Sequence, residues 1–154
     1  MPEKLFWKSA LKAGILASAA LIPVSILLDF VLGINASKAA TPEIAPGTAI
    51  GLLLILALYI TSVFSFGLYA YVDRLFPKQR TIVKALIFSS ILNSIFYFLE
   101  YVLIEEGNKI AQVYIGTIGA AGWLIYLATE IAIGAAIFSY VFDHYKKKEQ
   151  AGGF

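Results

Sequence analysis

The sequence predicts an all-α membrane protein, a bundle of four transmembrane helices with both the N-terminus and the C-terminus in the cytoplasm. Three observations carry the prediction. Four apolar stretches reach the length of about 20 residues that a helix needs to cross a bilayer. The chain is 60% hydrophobic and only 14% charged, against about 25% charged in an average soluble domain. Finally, ten of its twelve Lys and Arg residues fall on one side of the resulting layout. A mean hydropathy of +0.81 is more apolar surface than a soluble chain of this size could bury, so the lipid bilayer is its expected solvent.

The first span covers 13–34 and is interrupted only by Asp29. The charged opening MPEKLFWKSALK and a run longer than a signal peptide's apolar region mark it as a retained span. Pro23 is expected to kink it. The second span covers 48–72 and carries no charge. The third covers 85–104 and holds Glu100, and the fourth, about 113–142, lies within an uncharged run broken only by Glu130. That run, 110–142, would be about 50 Å long as one helix, so it must tilt, protrude or break, with Gly116, Gly119 and Gly122 as candidate breaks.

Three connections separate these spans. NASKAATPEIAPG at 35–47 contains two prolines and a glycine and reads as a loop. DRLFPKQR at 73–80 is a short charged turn, and EEGNK at 105–109 a tight hairpin turn. Residues 1–145 then form one four-helix transmembrane domain, and 146–154 a polar cytoplasmic tail with the composition of a disordered segment. The NAS triplet at 35–37 matches an N-glycosylation acceptor on the expected outer side, a three-residue pattern that is common by chance.

Lys4, Lys8, Lys12, Arg74, Lys78, Arg80, Lys84, Lys146, Lys147 and Lys148 lie on one side, and Lys38 and Lys109 on the other. The positive-inside rule puts the first group in the cytoplasm, in what is expected to be the cell membrane. Lys12 and Lys84, near the inner ends of their spans, are expected to snorkel. Phe6, Trp7, Tyr69, Tyr71, Tyr140 and Tyr145 cluster at that side as interfacial anchors.

Asp29, Glu100 and Glu130 are the acids inside the spans. A carboxylate at membrane depth costs a few kcal/mol even on insertion scales, and its default reading is functional. Asp29 and Glu100 sit about 6–7 Å inside the outer ends of their spans and so at a similar level. Glu130 is deeper. No Lys or Arg lies near the middle of any span, so Glu130 either carries a proton at neutral pH or has its partner outside this sequence. At 100° per residue, Ser18, Ser25 and Asp29 share a face of the first helix, and Ser89, Asn93 and Glu100 a face of the third. Ser62, Ser65 and Tyr69 form a looser stripe on the second, and Trp123, Tyr126 and Glu130 share a face of the fourth. Turned inward, these faces satisfy one another, whether as a site or as interhelical glue. Glu130, Glu100, Asp29, Asn93 and Tyr126 are the candidate polar or ion site.

The composition excludes several chemistries. With no cysteine there is no thiolate metal site, disulfide or cysteine nucleophile. The one histidine, His144, lies among lysines at the end of the fourth span, so no bis-histidine site and no nucleophile–base pair can be assembled. No cofactor is expected and no enzyme, and a net charge of +2 gives no case for nucleic acid. Gly116 with Ala120, and Ala128 with Ala132 and Ala136, space small residues four apart on the fourth helix and fit packing against other membrane helices in a homo- or hetero-oligomer. Two functional classes follow. One is a non-enzymatic subunit or accessory of a larger membrane assembly; the alternative is a small oligomeric proton- or cation-coupled transporter or channel that uses the intramembrane carboxylates.

Overall fold

The computed structural model describes residues 5–35 and 46–152, without the side chains of 46–48. The NAS triplet lies partly, and the loop that follows it mostly, outside the described residues. The regular structure of the described residues is helical throughout, and four helices are long and apolar enough to cross a membrane.

Helix α1 (Trp7–Leu32) starts ahead of the first hydropathy run and continues through Pro23. Its buried face is built from small residues, Ser9, Ala10, Ala13, Gly14 and Ala17, at the three- and four-residue spacing of one helix side. Small side chains let a neighbour approach closely. A methyl added at Gly14 would lie 2.8 Å from Phe66 Cγ. The helix ends where Gly33 turns left-handed (φ 68), its N–H bonding Phe30 O at 3.3 Å and that of Ile34 bonding Asp29 O at 2.8 Å. This is the Schellman arrangement that glycine permits.

The second membrane-length segment is made of α2 (Pro46–Ser65), a 3₁₀ turn (Phe66–Leu68) and α3 (Tyr69–Leu75). It runs past 72, so Asp73 and Arg74 are helical rather than part of a turn. Helix α4 (Thr81–Phe98) passes into a π-helical turn, Leu99–Leu103, and Ile104 adopts an extended conformation (φ −104, ψ 124) that reverses the chain. EEGNK is therefore not the hairpin turn. It forms the first turns of α5 (Glu105–Gln150), whose start carries Glu105 and Glu106 where the helix dipole favours acids. A methyl at Gly107 would overlap the Glu100 carbonyl, and Asn108 Nδ2 donates to Tyr101 O at 3.1 Å, so these two residues clamp α5 onto the π turn.

Helix α5 has 46 residues and is broken at Gly119 (φ 75, ψ 165), a backbone state open to glycine because it lacks Cβ. One of the three expected break positions is thus the one used. The far end also differs from expectation: the tail stays helical to Gln150, since Lys, Glu and Gln are good helix formers and Ser9 Oγ donates to Glu149 Oε2 at 2.5 Å. This contact brings the start of α1 and the end of α5 together at one end of the bundle.

That end is packed solid. Phe66, Tyr69, Phe138 and Phe142 are buried with Ala10, Ala13, Ala17 and Ala135. Tyr69 meets Phe138 and Phe142 edge-on at 4.8 and 4.9 Å, the geometry aromatic quadrupoles favour. Tyr69 is not the interfacial anchor expected. It is 0% exposed, and its hydroxyl donates to Thr81 O at 3.2 Å.

Candidate functional site

Above the aromatic core, α1 and α5 run antiparallel with matched steps of four. Leu21 lies at Gly134, where a methyl added to the glycine would be 2.8 Å from Leu21 Cδ1. One turn further, Ser25 Oγ donates to Glu130 Oε1. One turn beyond that, Tyr126 OH donates to Asp29 Oδ1 at 2.9 Å. Tyr114, on the other side of the Gly119 break, donates to Asp29 Oδ2 at 3.0 Å. Hydrogen bonds of this kind to a charged acceptor are worth roughly 1.5–3 kcal/mol each. Asp29 is thus held by two phenols and Glu130 by a serine.

Glu130 and Asp29 face a cavity of about 380 Å³ lined by all four membrane-length segments. From α4 and its π turn come Ser89, Asn93 and Glu100, and α2 supplies Ser62 and Tyr59. Asn93 Nδ2 donates back to Ser89 O at 2.8 Å. The π turn inserts an extra residue into the helical repeat and directs Glu100 to this cavity; such turns are frequent at functional sites. Among the described residues no side chain hydrogen-bonds to the Glu100 carboxylate. No Lys, Arg or His is among the described residues lining the cavity. Nor do three acids or histidines among them converge closely enough to hold a metal ion, so the carboxylates are distributed around the chamber rather than gathered on a point.

Of the five expected site residues, Glu130, Glu100, Asp29 and Asn93 all line this one cavity. Tyr126 stands behind it, buried, and acts on it through Asp29. The helix faces assigned from angular spacing also meet here, apart from Tyr126 behind the cavity, Trp123 packed on Tyr101, and two members of the second helix's stripe. Ser65 caps its own helix by donating to Thr61 O at 2.8 Å, and Tyr69 belongs to the aromatic core. Three contributors were not foreseen. Tyr101 and Tyr114 lie within the third and fourth spans but outside the faces assigned to them, and Tyr59 sits on the second span outside its polar stripe. The aromatic wall is continuous: Tyr97 meets Tyr101 in a tilted pair at 5.6 Å, and Tyr101 meets Trp123 edge-on at 5.4 Å.

A second polar cluster lies at the packed end. Asp73, 5% exposed, pairs with Lys84 through Oδ1 and with Lys146 through Oδ2 at 2.5 Å. Lys84 is itself 5% exposed, so it does not snorkel to the surface as expected; a buried counter-ion one connection away holds it inward. Thr81 Oγ1 donates to Asp143 Oδ1 at 2.8 Å beside this pair. Charge here is internally balanced.

The close contacts of α5 are made by Gly134 and Ala135, which are buried. Ala128, Ala132 and Ala136, the row expected to pack tightly, lie on its exposed side.

Fold and site together define a class: an all-helical bundle with four helices of membrane-crossing length around an acid-lined chamber. No family model, no curated protein and no solved structure matches the chain.

Proposed function

We propose that the chain is a small, non-enzymatic multi-pass protein of the cytoplasmic membrane that moves a proton or another cation by way of Glu130, with Glu100 and Asp29. The observation that supports this is that three carboxylates from three membrane-length segments line one cavity whose described lining holds no basic residue. Negative charge in a low-dielectric chamber requires compensation, and here the exchangeable means are protons or a cation. Proteoliposomes provide the test. The wild-type protein is expected to dissipate an imposed proton or cation gradient, and Glu130→Gln, which keeps shape and hydrogen bonding, to fold normally and abolish the flux. Wild-type flux no faster than that of empty vesicles would defeat the reading.

Orientation is part of the proposal. Ten basic residues against two support cytoplasmic termini. Asn108→Cys is then expected to react with an impermeant thiol reagent on sealed cells, and Gln150→Cys to be protected. The opposite labelling pattern would invert the topology.

A second reading, a subunit or accessory of a larger membrane assembly, draws on the exposed row Ala128, Ala132 and Ala136, which offers another helix a close approach. Copurification of a stoichiometric heterologous membrane partner would favour it. A homo-oligomer that carries ions alone would favour the transporter.

A further inference from the structure

We propose that the cavity takes a monovalent organic cation with an apolar or aromatic body, entering sideways from the bilayer between α1 and α2. The inference rests on the transport reading and names its substrate class.

The size comes first. About 380 Å³ falls in the range of small-molecule sites, roughly 300–1,000 Å³, and is an order of magnitude above the roughly 30 Å³ share of one water. A bare inorganic ion would be caged by oxygens converging on a point, and these carboxylates do not converge. The lining comes second. Tyr59, Phe96 and Tyr97 share the wall with Glu100 and Glu130. Aromatic faces attract an organic cation through their quadrupoles, and most strongly where water is excluded. An inorganic ion would gain little from Phe96. The third element is the unused acceptor. Ser25 and two tyrosines bind Glu130 and Asp29, whereas Glu100 presents a carboxylate without a side-chain donor among the described residues.

The route is visible in the exposure of the lining. Ile22 and Ile26 of α1 and Tyr59 of α2 line the cavity, yet are 54%, 64% and 46% exposed. Among the described residues the wall between α1 and α2 is therefore only partly closed at the depth of apolar side chains, where Tyr59 OH donates to Ser18 O at 3.3 Å across it. In a bilayer that gap faces acyl chains, where a lipophilic cation accumulates and a hydrated metal ion does not. Binding at Glu100 and Glu130 displaces whatever protons they hold, so cation and proton compete for the same carboxylates.

Equilibrium dialysis with the purified full chain in detergent tests this with two isosteric probes, tetraphenylphosphonium and tetraphenylborate. Size and apolar surface match and only the charge is opposite. The cation is expected to bind saturably and at least about tenfold more tightly than the anion. Its binding is expected to weaken as pH falls from about 8 to about 6, the sign for competition with protons. Glu100→Gln and Glu130→Gln are each expected to weaken it about tenfold, and Phe96→Leu about threefold. Equal binding of the two probes would overturn the proposal, as it would mean apolar partitioning only. Unchanged cation binding in both glutamine variants would overturn it too. The wild-type probe comparison stands even if a variant fails to fold. Proteoliposomes that pass protons or sodium but show no saturable tetraphenylphosphonium site would sink this inference and leave the transport reading intact. Absence of any flux, with tetraphenylphosphonium bound, would do the reverse.

Discussion

Asp73 and Glu130 are both carboxylates held among helices, but their surroundings differ. Asp73 lies at the packed end, against two lysines and below a continuous aromatic core. Glu130 lies at the hollow end, where it meets a serine hydroxyl, two other acids share its chamber, and no basic residue is among the described lining. A fixed counter-ion makes a buried acid a structural part: its charge is settled by the fold. A carboxylate given only hydroxyls among the described residues has no such fixed charge beside it. The contrast separates an end whose buried acid is paired by the fold from an end whose described acids meet no cation.

The largest way to break the comparison is at Asp73. Lys84→Met strips one counter-ion from a buried carboxylate and should cost about 3–5 kcal/mol in detergent unfolding. Combining it with Asp73→Asn should recover most of that loss, since replacing a buried pair is far cheaper than orphaning one partner. A Lys84→Met protein as stable as wild type would show that Lys146 alone settles the charge.

Packing gives the next contrast. Phe138, 1% exposed and stacked on Phe66 at 5.1 Å, should cost about 3 kcal/mol when cut to alanine. Phe96 borders empty space, so its truncation forfeits fewer contacts and should cost under about 1 kcal/mol. Matching losses in thermal melts would mean that the chamber is not a void in the working protein.

These expectations rest on contacts that were only partly legible. The spans were, because length and hydropathy respond to the solvent and not to the partners. So was the inward turn of Ser25, Asp29, Asn93, Glu100 and Glu130, since a helix of fixed pitch assigns faces without knowledge of its neighbours. Hidden was everything set by which helix lies beside which. Lys84 looked like a surface lysine because nothing local says that Asp73, eleven positions back, ends up at its amine. The π turn at Glu100 was invisible, as it packs against Gly107, a contact that exists only in space. The matched steps of Leu21, Ser25 and Asp29 against Gly134, Glu130 and Tyr126 were present in the sequence, but only an antiparallel α1–α5 pairing gives them meaning.

Smaller effects sharpen the hollow end. Glu130→Gln should stay within about 1 kcal/mol of wild type, whereas Glu130→Leu, which strands the Ser25 hydroxyl, should cost about 1–2 kcal/mol. Equal stability of the two would show that the Ser25 contact contributes nothing. Smallest of all is the outer face of α5. Ala132→Leu should leave the melting of the isolated chain within about 0.5 kcal/mol, while Gly134→Ala, pressed on Leu21, should cost about 1 kcal/mol. A change in oligomer size with Ala132→Leu, read by light scattering, would locate a partner helix on that face.

The break at Gly119 acquires a mechanical sense from the two tyrosines of Asp29. Tyr114 stands on the segment before the break and Tyr126 on the segment after it, and each grips a different oxygen of the same carboxylate. That carboxylate is a strut riveted across a joint. The arm 105–118 cannot swing about Gly119 without shearing the Tyr114 rivet, while the Tyr126 rivet stays with the long arm. The arm is thus pinned twice, at its start by Gly107 and Asn108 on the π turn and near its end by Tyr114 on α1.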